Sequence, residues 1–160
     1  AVISAVDLIK GIGKMIGFEV INVPGATGLW NTNYEGKAQY AVDALKKFDL
    51  VYVHVEGIDE ASHDGNLELK IKCIEDFDKK LVKNIIENVN LNETKIAILP
   101  DHYTPVKLKT HKSGYVPFLI YSHSTLPDKV EKFDEESCKS GKFGYIEKDE
   151  FIKIFTEFGV

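Results

Sequence analysis

Short apolar runs alternate with amphipathic stripes along the chain, and that alternation restricts it to a sheet covered by helices. The clearest run is residues 49–55, DLVYVHV, apolar on both faces apart from His54, as a strand buried on both sides must be. Before it, residues 6–16 read as a helix stopped at Gly17, and residues 18–23 as a strand ending at Pro24. A loop over 25–33 leads to a helix over 34–47, with Asn33 as its N-cap and Tyr34, Ala38, Ala41, Val42 and Leu45 on one stripe. Residues 56–66 read as a polar turn region. Leu67, Ile71, Ile74, Phe77, Leu81, Ile85 and Val89 then recur at helical spacing and predict one long helix ending at Asn90. Strands follow at 95–100 and 116–121, and a helix over 147–158 comes last. This order predicts an α/β fold: a mainly parallel sheet with helices on both faces, in one domain spanning 1–160, without repeats or linkers.

Composition removes several classes of function. With 160 residues, 44% of them hydrophobic, the chain can bury a core. Its 20 basic and 25 acidic residues leave a net charge of −5, so no basic stripe is available for nucleic-acid phosphates. No apolar run approaches the ~18 residues of a membrane span, so neither a nucleic-acid nor a membrane partner is expected. Cys73 and Cys138 form no CxxC pair and are too few for a disulfide framework, so both read as ordinary reduced cysteines. Residues 1–6, AVISAV, show neither an initiator Met nor a basic stretch. They read as no signal peptide, and as the start of a fragment.

Chemistry collects just beyond the strand ends, where open α/β sheets bind ligands. After DLVYVHV come Asp59 and His63, four apart, which a helical turn would place on one face. After the strand KIAILP come Asp101 and His102, with His111 nine residues on in LKTHKSG. Imidazole and carboxylate together suit Mn²⁺, Zn²⁺, Co²⁺ or Fe²⁺, whereas carboxylates alone favour Mg²⁺ or Ca²⁺. Five such ligands exceed one catalytic zinc and fall short of two complete sites. That suggests a two-metal centre suited to phosphoryl chemistry, with part of its shell supplied elsewhere. Each piece also has an ordinary reading: a helix cap, a strand-end turn, a solvated histidine.

The segments VEGIDEASHDG, LPDHYTPVKLKTH and VPFLIY resemble the metal-binding half of the alkaline phosphatase superfamily. More closely, with AVISAVDLIKGIG, VPGATG and NTNYEGKA, they resemble the archaeal type of cofactor-independent (2,3-bisphosphoglycerate-independent) phosphoglycerate mutases. The resemblance covers nearly the whole chain and is least distinctive over 125–146. It implies an alkaline-phosphatase-like domain that is incomplete at its N-terminal side, lacking the nucleophile-bearing half and an inserted domain. The implied activity is interconversion of 3-phosphoglycerate and 2-phosphoglycerate through a phosphoserine, in glycolysis and gluconeogenesis, with two divalent ions: Mn²⁺ first, with Zn²⁺, Co²⁺ or Mg²⁺ as alternatives. Carried over by motif, Asp59, His63 and His111 hold one ion, and Asp101 and His102 the other. The nucleophilic serine is expected upstream, so no catalytic residue is assigned here, and Ser62 reads as a loop residue.

Lys10 is the one candidate substrate contact, reaching phosphate or carboxylate, against the alternative of an ordinary helix position. His54 reads as a hydrogen-bonded core residue, His123 as structural or exposed, and VPGATG as a plain loop. The expected partners are phosphoglycerate and the missing N-terminal half, with uncovered apolar surface and self-association where that half is absent. The expected location is the cytoplasm. The alternatives are a metal-dependent phosphohydrolase or phosphopentomutase of the same superfamily, or a non-catalytic binding fragment.

Overall fold

The computed structural model describes residues 1–147 and 149–159. Lys148, within the expected last helix, and Val160, at the end of the expected domain, lie outside the described residues. The chain gathers into two units, Ala1–Val89 with Thr104–Thr110, and Asn90–Tyr103 with His111–Val160.

The first unit holds β1 (Val2–Ile3), α1 (Asp7–Met15), β2 (Val20–Ile21), α2 (Tyr34–Ala44) and β3 (Tyr52–Val53). It continues with α3 (Gly57–His63), α4 (Leu67–Asp76), a π-helical segment (Phe77–Val82) and α5 (Lys83–Asn88). The three strands are parallel in the order β2–β1–β3, with Val2 opposite both Val20 and Tyr52. The crossover to β2 and the crossover to β3 run in opposite directions over the sheet, so right-handed connections put α1 and α2 on opposite faces. Packing agrees with this. Successive strand residues face opposite ways: a Cβ at Gly13 of α1 would lie 2.6 Å from Val2 Cγ1, while Ile3 packs with Val23, Ala41 and Ile85. A second cluster joins Tyr34 and Ala38 to Phe77 and Leu81. The outward face of α1 is uncovered, with Leu8, Met15 and Ile16 all exposed.

The parallel sheet and its two-sided helices are therefore as expected, but several elements differ. Residues 1–5, for which no element is expected, contain the central strand. Two fully buried residues are too few to show any period. The polar region 56–66 contains a helix, α3, and the long helix is interrupted by a π segment, because one extra residue in a turn hardly disturbs an apolar stripe. Strands β2 and β3 are shorter than the apolar runs that contain them.

The second unit pairs β4 (Ile96–Ile98) with β5 (Leu119–Tyr121), antiparallel, with Ala97 opposite Ile120. No helix lies between these strands to carry a parallel crossover. A single antiparallel bridge, Tyr103 with Lys112, pinches the loop that joins them. A short 3-10 turn (Ser137–Ser140) and α6 (Glu150–Glu157) follow. Phe118, Phe143, Phe151 and Phe158 form the unit's aromatic cluster through stacked and edge contacts. Among the described residues no helix is long and apolar enough to cross a membrane, and both cysteines are free.

Candidate metal centre

In the first unit the strand order reverses at β1 and β3, and their C-terminal ends are tied together. Ser4 Oγ accepts the Val6 N–H (3.0 Å) and shares a hydrogen bond with His54 Nδ1 (3.2 Å). Lys37, only 1% exposed, donates through its ammonium to the His54 carbonyl at 2.9 Å. Burial lowers its pKa from 10.5 to about 8, against an upward pull from the Glu56 carboxylate. His54 is thus hydrogen-bonded, as expected, at the point from which the chain turns into α3.

Helix α3 starts where the Glu56 carbonyl accepts the N–H groups of Asp59 (2.8 Å) and Glu60 (3.2 Å). Gly57 permits a close approach, since a Cβ there would stand 2.7 Å from the Leu29 carbonyl oxygen and 2.9 Å from Trp30 Cα. With the helix formed, Asp59 and His63 share a face, and His63 Nε2 lies 3.2 Å from Asp59 Oδ2. Aspartate in the first turn also suits the helix dipole. Ser62 sits on this helix rather than in a loop. It is fully buried, with its hydroxyl donating to the Ile58 carbonyl at 3.0 Å.

Residues of the 104–110 segment complete the surroundings of α3. The Thr104 hydroxyl donates to Asp59 Oδ1, and Lys70 Nζ donates to the Thr104 carbonyl at 2.9 Å. His63 Nδ1 meets the Lys109 carbonyl at 3.0 Å. A carbonyl only accepts, so this contact is a hydrogen bond when Nδ1 carries the proton, and Nε2 is the ring nitrogen that faces Asp59 Oδ2. Two electron-pair donors set this close on one helix face fit a cation.

In the second unit Asp101 and His102 follow β4, with His102 Nε2 3.5 Å from Asp101 Oδ1. His102 and His111 each precede a member of the Tyr103–Lys112 bridge, so both side chains point to the face opposite that pair. Their rings meet with centroids 3.8 Å apart, and a nitrogen of one lies within 4.8 Å of a nitrogen of the other. Gly114 accommodates the Tyr103 ring, which a Cβ would meet at 2.5 Å.

The sequence-assigned residues thus fall into Asp59 with His63, and Asp101 with His102 and His111. Lys10 is on α1, in an ion pair with exposed Asp7 at 2.7 Å. His123 is exposed, and VPGATG is a self-closed loop in which Thr27 N–H donates to Thr32 Oγ1. Sequence reasoning missed Thr104, Lys109, Lys70 and Lys37. A threonine just after the Asp-His pair was the only available signal for the first; the second acts through its backbone.

The chain belongs to the metalloenzyme superfamily, whose family model matches residues 1–157. Among curated relatives, it is 52% identical over 160 residues to a 2,3-bisphosphoglycerate-independent phosphoglycerate mutase of Methanosarcina acetivorans, covering 98% of this chain and 40% of that protein. It is 49% identical over 153 residues to a probable enzyme of the same name from Geobacter sulfurreducens, covering 94% of this chain and 38% of the relative. A solved structure of the PH0037 protein from Pyrococcus horikoshii superposes with a TM-score of 0.93 at 36% identity, over 98% of this chain and 47% of that one. The chain spans about 40% of the length of the curated relatives it matches. Family membership and the His/Asp donor set together indicate the use of divalent metal.

Proposed function

We propose that this chain supplies most of the metal-holding side chains of a 2,3-bisphosphoglycerate-independent phosphoglycerate mutase, which interconverts 3-phosphoglycerate and 2-phosphoglycerate. The names of its relatives support the substrate, and the Asp59–His63 face of α3 is the observation that carries the metal role. In this reading Asp59, His63 and His111 hold one ion and Asp101 and His102 the other. The ring contact between His102 and His111 favours neighbouring ions. Mn²⁺ suits these mixed donors best, with Zn²⁺, Co²⁺ and Mg²⁺ as alternatives. Such ions supply charge stabilisation for a transferring phosphoryl group and acidify an attacking hydroxyl.

The chain's own groups position these donors. Carboxylates Asp59 and Asp101 bring negative charge, while the imidazoles coordinate without adding any. In this reading Ser62, buried and bonded back into its helix, is a structural residue, and the phosphoserine is the one that the resemblance to these mutases implies upstream. In this reading Lys10 is a contact for phosphate or carboxylate, and the exposure of its present partner Asp7 is compatible with exchange for another anion. The proposed location is the cytoplasm.

The test is metal analysis joined to a mutase assay, on this chain and on the full product of its gene. Two ions per chain and isomerisation by the full product are expected, and His63→Ala should lose isomerisation together with the ion that His63 holds. Isomerisation by His63→Ala at unchanged metal content refutes the assignment. Phosphoester hydrolysis without isomerisation would instead indicate a phosphohydrolase of the same superfamily.

A further inference from the structure

We propose that the segment Thr104–Thr110 is the positioning element for Asp59 and His63: the Thr104 hydroxyl fixes the carboxylate and the Lys109 carbonyl fixes the imidazole tautomer. This rests on the reading that both residues ligate metal. Asp59 has two oxygens. Thr104 occupies Oδ1, so Oδ2 is the oxygen aimed along the helix face toward His63. Thr104 is itself held, being buried and bonded through its carbonyl to Lys70 Nζ at 2.9 Å.

At the other end of the segment, one helical turn closes with the Pro105 carbonyl accepting from Leu108 (2.9 Å) and Lys109 (3.0 Å). Lys109 then takes a left-handed conformation, φ 53°, the only positive φ outside glycine among the described residues. That conformation is uphill for a residue with a Cβ, and it caps turns of this kind. Here it accompanies a carbonyl lying on His63 Nδ1. Gly65, itself at φ +74°, leaves room for the Lys109 side chain, whose Cε a Cβ would meet at 2.2 Å. The two α3 donors are therefore each satisfied on the side away from their shared face, which is the arrangement that orients metal ligands.

Two measurements test this. First, long-range ¹H–¹⁵N NMR on the metal-free protein at about pH 8 reads the His63 tautomer. A proton on Nδ1, kept in Lys109→Gly because only a backbone carbonyl is needed, is expected; an Nε2–H tautomer overturns the proposal even if the protein binds metal. Second, titration calorimetry with Mn²⁺ compares wild type, Thr104→Val and Thr104→Ser, with circular dichroism as the folding control. Loss of affinity by about 10–100-fold in the valine variant is expected, with recovery to within about threefold in the serine variant. Equal affinity in valine and wild type overturns the positioning role while leaving the metal reading intact. Absence of Mn²⁺ binding by folded wild type overturns both. Should Thr104→Val fail to fold, the wild-type tautomer decides.

Discussion

Lys37 yields the sharpest thermodynamic prediction. Lys37 is 1% exposed, and its pKa falls from 10.5 to about 8, burial being the main cause and Glu56 opposing it. A tenfold change in proton affinity corresponds to about 1.4 kcal/mol, so the charged form is disfavoured in the folded state by about 3 kcal/mol. Below pH 8 both states hold the proton and this burden is complete. Between about pH 8 and 10.5 the unfolded chain still holds a proton that the folded chain has released, so stability rises with pH. Lys37→Met removes the titration but strands the His54 carbonyl, a loss of about 1–3 kcal/mol. The two changes nearly cancel at pH 7, and the pH dependence is the diagnostic. Urea melts at pH 7, 8, 9 and 10 should show wild type gaining on the variant by about 2–3 kcal/mol across the range. Other titrations, such as that of Cys73, whose thiol is pushed up by burial, are common to both proteins and drop out of the difference. Parallel stability curves would refute a charged, buried Lys37.

Other substitutions probe the frame that carries the candidate metal centre. Gly57→Ala should push α3 off the Leu29–Trp30 backbone, lowering stability by about 1–3 kcal/mol and weakening Mn²⁺ binding in the same titration. Gly13→Ala drives a methyl into Val2, and a fall in thermal midpoint equivalent to about 1–3 kcal/mol is expected. Asn33→Ala removes an N-cap that accepts from Gly36 N–H at 2.8 Å and donates to the Pro24 carbonyl at 2.8 Å. A loss of about 1–2 kcal/mol in chemical denaturation is expected, and no loss would remove Asn33 as the start signal of α2.

Legibility in the sequence followed how local each signal was. Helix α2 was readable because Asn33 and the Tyr34–Ala38–Ala41 stripe lie within a few turns. The order of strands and helices was readable for the same reason. Val2 and Ile3 were not, since a strand that short becomes a strand only when β2 and β3 flank it. The candidate ligands Asp59, His63, Asp101, His102 and His111 were legible as motifs. Their outer contacts were not, because Thr104 is 45 positions from Asp59 and Lys109 is 46 from His63. Helix α3 itself was hidden by its polarity: Ala61 and Ser62 are its buried side chains, and neither stands out as apolar.

The first unit is discontinuous, taking in residues 104–110 after the chain has begun the second. In a chain made from the N-terminus, β1, β2 and β3 can pair as soon as residue 53 is available. The side chains of α3 then wait for more than forty further residues before Thr104 and Lys109 reach them. At ribosomal speeds of about 5–20 residues per second, that interval is a few seconds. Throughout it the nascent protein can have a formed sheet and an unfinished candidate metal face. On the reading that Asp59 and His63 ligate metal, an ion arriving early would meet donors whose outer contacts are still missing, and loading is expected to follow synthesis of residue 109.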